Sequence, residues 1–154
     1  MAKLFTKILC PVDFDENSMA ALDFAARIAS ENDATLYLMY VVFVPLVRPG
    51  YPLEPPPVVS DEPSKAELEK IARKRIPGKV RHEVVVKIGQ PAEAIIKAAD
   101  ELNPDLIVMA THGRRGVVRF FLGSVAERVV RESTRPVLIV RPGTGVDDAP
   151  ERAS

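Results

Sequence analysis

The chain has 154 residues, a length that fits one domain and suffices to close a hydrophobic core without covalent staples. Lysine and arginine number 21 and aspartate and glutamate 21, so the formal net charge is zero, which argues against a dedicated nucleic-acid binder with its excess of basic groups. One cysteine, Cys10, excludes an internal disulfide and a thiolate-rich zinc site, and two histidines, His82 and His112, leave little for a histidine metal centre.

The start of the chain carries Lys3 where the apolar stretch of a signal peptide would lie. No apolar run approaches the ~20 residues that cross a bilayer. The expectation is a cytoplasmic protein with no membrane segment. Ile8-Leu9-Cys10 is the first of several short, continuous apolar runs, followed by Leu36 to Val44, Leu106 to Ala110 and Val137 to Val140. Unbroken apolar runs of this length mark strands buried on both faces, as in parallel sheets. Val80 to Ile88 is a fifth and more polar strand, with His82 exposed near its start.

Helical patterns lie between these runs. Asp15 or Asn17 can cap a helix carrying Met19, Leu22, Ala25, Ala26 and Ala29 on one stripe. Pro91 suits the first turn of another, with Ala92, Ile95, Ile96, Ala99 and Leu102 at helical spacing and Asn103-Pro104 to end it. Residues 44–63 hold seven of the 14 prolines and are expected to form an extended, helix-free connection. Residues 142–154 have little to bury and are expected to form a flexible tail.

Strands alternating with helices predict an α/β fold with a doubly wound parallel sheet and helices on both faces. In such sheets ligands bind beyond the carboxyl ends of the strands. The loops that matter are therefore Pro11 to Asn17, the segment from Val41, and Thr111 to Gly123.

The last of these is the richest in chemistry. Gly113, Gly116 and Gly123 let backbone take positive φ and approach a ligand closely. Ser124-x-x-Glu127 reads as a capping box opening a helix to about Glu132, and the amides of such a helix start favour a phosphate. Between Thr111 and Arg141 arginines exceed acids by five. A merely well-capped helix behind ordinary turn glycines fits the same residues. No Gly-Lys-Ser/Thr ends the loop, and Pro11-Val12-Asp13, not glycines, follows the first strand, so neither the Walker nor the dinucleotide fingerprint is present. Asp13, at the end of the first strand, can accept hydrogen bonds from ribose hydroxyls or an adenine amino group, or can cap the following helix. Cys10 reads as a core residue and His112 as a loop-positioning one. Phe120, Phe121 and Leu122 are expected to pack under the loop. If Val137, Leu138, Ile139 and Val140 form an edge strand, its unpaired groups invite antiparallel pairing with a second copy.

Lys7-Ile8-Leu9-Cys10-Pro11-Val12-Asp13-Phe14, Gly89-Gln90-Pro91-Ala92, the stretch from Asp105 to Gly113, Gly123 to Val130 and Ser133 to Val140 together resemble the universal stress protein family. The resemblance covers residues 4 to 141. It implies a domain over residues 1–141 with a Rossmann-like, five-stranded sheet in the order 3-2-1-4-5. The family has ATP-binding and nucleotide-free members. In the former a loop of the form G-x2-G-x9-G-[ST] holds the nucleotide; Gly113, Gly123 and Ser124 match it, while Ala110 replaces the first glycine. By resemblance Pro11, Val12, Asp13 and Val41 hold adenosine, Met109 and Ala110 lie along the ribose, and Gly113, Arg114, Gly123, Ser124 and Val125 surround the phosphates. The implied function is a homodimeric stress-response protein that binds ATP, accompanied by Mg²⁺ on the phosphate oxygens, as a regulatory ligand with slow or no hydrolysis. The alternative is a nucleotide-free dimer acting through protein contacts.

Overall fold

Aliphatic side chains at successive positions can all be buried only if both faces of a strand are covered, and this is how the apolar runs fold. The computed structural model describes residues 3–45, 49–50, 60–111 and 122–141. In chain order it contains β1 (Lys7–Pro11), α1 (Glu16–Asn32), β2 (Thr35–Phe43), α2 (Glu62–Arg75), β3 (His82–Gly89), α3 (Pro91–Leu102), β4 (Leu106–Ala110), α4 (Ser124–Glu132) and β5 (Val137–Val140). All strand pairs are parallel, and the five-stranded sheet runs β3-β2-β1-β4-β5. The expected α/β fold and strand order are thus present.

Alternate residues of each strand feed two separate cores. On one face Ile8, Cys10, Leu36, Leu38 and Val108 pack with Ala21, Leu22, Ala25 and Ala29 of α1 and Leu68 and Ala72 of α2. On the other Leu9, Met39, Ile107 and Met109 pack with Ile95, Ala98 and Ala99 of α3 and Val129 of α4. The alanines of α1 and α3 bring their helices close against the sheet. Cys10 is fully buried, and burial, aided by the Asp23 charge, pushes its thiol far up in pKa, so it is an inert core group.

The ends of the elements are set locally. The Asp15 carboxylate caps α1 by accepting the Asn17 N–H at 2.9 Å. Asn103 closes α3 in the left-handed region at φ 54°, and Pro104 follows, as the sequence leads one to expect. At the opposite end of the sheet from the helix-bearing loops, one Asp105 carboxylate oxygen accepts from Thr6 N (2.5 Å), Thr6 Oγ1 (2.7 Å) and Lys7 N (2.9 Å). It ties the entry of β1 to that of β4, and these bonds hold its carboxyl below the usual aspartate range.

Two expectations are corrected. Helix α2 has no counterpart in the sequence reading, and its first turn, with Glu62 and Pro63, lies inside the stretch expected to be helix-free. Proline is compatible with a first turn, where no intrahelical N–H is needed. Strand β3 begins at His82, not Val80, because the Val80 N–H turns back to Pro77 O at 2.9 Å. Most of the proline-rich connection (46–48 and 51–59) and the tail (142–154) lie outside the described residues.

Candidate functional site

The carboxyl ends of β1, β2 and β4 open onto one cavity of about 490 Å³, within the usual range for small-molecule sites. The β1 end supplies Pro11, Val12 and Asp13, the β2 end Tyr40 and Val41, and the β4 end Met109, Ala110 and Thr111. Helix α4 closes the cavity with Gly123, Ser124, Val125 and Ala126, and Ser18, Pro91 and Ile95 complete the wall. This is the place where strand order reverses, β1 lying between β2 and β4. Nine of the residues singled out in the sequence meet here: Pro11, Val12, Asp13, Val41, Met109, Ala110, Gly123, Ser124 and Val125. Gly113 and Arg114, together with His112, Gly116, Phe120 and Phe121, lie outside the described residues. Leu122 is 37% exposed rather than packed beneath a loop.

Asp13 is locked in place. Its Oδ1 accepts the Ser18 hydroxyl in a short hydrogen bond and the Asp15 N–H at 3.0 Å, while its own N–H donates to Ser18 Oγ at 3.1 Å. Among the described residues no donor reaches Oδ2, which leaves one oxygen for a ligand. The next residue, Phe14, has φ 67°, a left-handed conformation that costs a non-glycine residue of order 1 kcal/mol. Its ring rests on Tyr40, centroid to centroid 4.4 Å, which helps hold the bend. Asp15, not Asp13, caps the helix.

The helix start differs from the expected capping box. Gly123 is the N-cap of α4, among the described residues no side chain caps it, and Ser124 is the first helical residue. Gly123 adopts φ −58°, ψ 155°, so it does not need the positive φ that its glycine suggested. The Glu127 N–H bonds to Gly123 O at 2.9 Å, and the preceding first-turn amides have no intrahelical acceptor by geometry. Those amides belong to Ser124, Val125 and Ala126, which all line the cavity. Such an uncapped terminus is a ready anion site.

Of the arginines counted in the sequence, Arg114, Arg115 and Arg119 lie outside the described residues, and two of the others turn away from the cavity. Arg128 pairs with Glu132 (2.9 Å) and Glu93 (3.2 Å), and Arg131 with Glu127 (3.4 Å), all along the outer surface. Among the described residues the only ionisable side chains of the cavity wall are those of Asp13 and Tyr40. No group of acids, histidines or cysteines there could hold a metal by itself. Ser18, Tyr40, Pro91, Ile95, Thr111 and Ala126 were not anticipated. Tyr40, Thr111 and Ala126 adjoin anticipated residues, so strand-end and helix-start position could have found them. Ser18 and the α3 pair carry no such signal, since they reach the cavity only through tertiary packing.

The comparisons with known proteins agree with this architecture. A family model described as the universal stress protein family matches residues 4–141. Universal stress protein MJ0531 of Methanocaldococcus jannaschii is 40% identical over 145 residues, covering 90% of this chain and 83% of that one. The solved structure of protein MJ0577 superimposes with a TM-score of 0.71 at 24% identity, covering 90% of this chain and 96% of that one. A universal stress protein solved in complex with cAMP gives a TM-score of 0.65 at 26% identity, covering 89% and 97%. No helix among the described residues is long and apolar enough to cross a membrane. The chain belongs to the universal stress protein family.

Proposed function

We propose that this protein binds an adenine nucleotide, ATP or a close relative, as a regulatory ligand in a cytoplasmic stress response. The observation that carries the reading is the polarity of the cavity: a fixed carboxylate oxygen of Asp13 at the β1 end and the uncapped amides of α4 beyond β4. A ligand with hydrogen-bond donors at one end and an anion at the other fits that arrangement, and a nucleotide is such a ligand. The relative solved with cAMP supports it. Asp13, with Val41, Pro11 and Val12, would take the nucleoside, Met109 and Ala110 would flank the sugar, and Gly123, Ser124 and Val125 would hold phosphate. Gly113 and Arg114 would complete the phosphate side. Mg²⁺ would arrive on the phosphate oxygens, since the wall offers no ligand set of its own.

Hydrolysis would be slow or absent. The one carboxylate of the described wall is already engaged with Ser18 and Asp15, which suits it to hold a ligand and not to position an attacking water. Occupancy would instead shift the conformers of the segment joining β4 to α4, and with them a surface seen by a partner. Mass spectrometry of nucleotide released from purified protein, with calorimetry against ATP, ADP, AMP and cAMP, tests this. Co-purified adenine nucleotide, or heat with saturation at micromolar ligand, is the expected result. Absence of both up to millimolar concentration removes the reading.

A second reading has its own support. Ala110 adds a methyl group to the wall where the nucleotide-binding loop pattern carries a glycine, and β5 borders only β4, with Val137, Leu138 and Ile139 half-buried. A nucleotide-free homodimer acting through protein contacts would need only that edge. The same calorimetry separates the two.

A further inference from the structure

Thr111 closes β4 and is 7% exposed. Both its backbone groups are engaged: its N–H donates to Val140 O at 3.3 Å, and its carbonyl accepts the Gly123 N–H at 2.6 Å. Its hydroxyl is not. Thr111 Oγ1 is buried without a hydrogen-bond partner among the described residues, and the residue lines the cavity beside the first turn of α4. Buried hydroxyls are almost always bonded, because leaving one unpaired forfeits its hydration for nothing. Valine has nearly the same shape and would fill this position without that cost. Arg135 Nε is another such atom among the described residues, but Arg135 is not part of the cavity wall.

We infer that the Thr111 hydroxyl is a ligand group that donates its hydrogen to a phosphoryl oxygen seated on the α4 amides, and so selects phosphorylated ligands over the bare nucleoside. This rests on the adenine-nucleotide reading. Two independent features converge on it: the start of a nine-residue helix with no side-chain cap among the described residues, and a buried donor beside it with no partner among those residues. Asp13, an acceptor at the β1 end, cannot serve a phosphate and is left for nucleoside donors. Thr111 is therefore assigned to the phosphate and not to the sugar or base.

The test is calorimetry with ATP, AMP and adenosine on wild type, Thr111→Val, Thr111→Ala and Thr111→Ser, alongside thermal unfolding without ligand. Thr111→Val should bind ATP and AMP at least about tenfold more weakly, as for loss of a bond to a charged group, with adenosine changed less than about twofold. Its ligand-free melting temperature should rise by about 2–4 °C as the unpaired hydroxyl is removed. Thr111→Ala, which creates no new apolar contact, should show the same split between ligands, and Thr111→Ser should restore phosphate affinity. Wild-type affinity for ATP and AMP in both hydroxyl-free variants overturns the inference while leaving the nucleotide reading intact. Equal losses for all three ligands also overturn it, showing that the side chain shapes the wall and does not contact phosphate. A wild type that binds none of the three overturns the inference and the reading together.

Discussion

At the scale of single residues the cavity is organised by what each side chain has left to offer. Asp13 has spent one oxygen on Ser18 and Asp15 and keeps the other. Gly123 offers space and not unusual backbone, since φ −58°, ψ 155° is open to any residue. Gly123→Val should therefore fold with a melting temperature near wild type while its branched side chain crowds the α4 amides. Nucleotide affinity measured by calorimetry should fall at least about tenfold, equivalent to 1.4 kcal/mol. Unchanged affinity in the folded variant would mean the amides of α4 are not the anion site. Ala110→Gly trims a methyl from the wall and should leave affinity equal or higher. At this scale the sequence was legible where chemistry followed position at a strand end, as for Asp13, while Val41 and Met109 came from the family resemblance. Ser18 was not, because its role depends on α1 folding its first turn back over the β1 loop, five residues away from Asp13.

At the scale of elements, the strands were legible because burial on both faces writes them as unbroken apolar runs. Helix α2 was not, because only Leu68 and Ala72 of its residues are buried, Ile71 is partly buried against the core, and most of the remainder is charged surface. Helix α4 was recognised with its bounds, Ser124 to Glu132, but not its cap: Ser124 with Glu127 suggested a capping box, whereas Gly123 is the N-cap and Glu127 pairs with Arg131. The Asp105 clamp between β1 and β4 gives an element-scale prediction. Its folded carboxyl is held below the usual range by Thr6 and Lys7, so its contribution is fully present above the ordinary aspartate value of about 3.9 and is lost as pH falls through the lower folded value. Asp105→Ala should cost about 1 kcal/mol near neutrality, solvent screening keeping the figure modest. The gap between variant and wild type in urea unfolding should close as pH drops from 5 towards 2 in about that span. A gap that stays constant would show that the clamp acts without its charge.

At the scale of the whole molecule, the two ends of the sheet differ. Strand β5 is four residues of aliphatic side chains with Val137, Leu138 and Ile139 half-buried. Strand β3, at the opposite edge, has exposed His82 and Glu83, and its Lys87 pairs with Glu101 at 3.2 Å. Ile139→Asp should convert a dimeric species to monomer in sedimentation velocity at micromolar protein without lowering the helix signal in circular dichroism. A wild type that sediments as a monomer would remove β5 as an interface. Charge along an edge strand discourages strand addition, whereas an apolar edge invites it. If two copies pair through β5 about a twofold axis, the edges left open are the two β3 strands, whose charged residues discourage further strand addition and so limit growth beyond the pair.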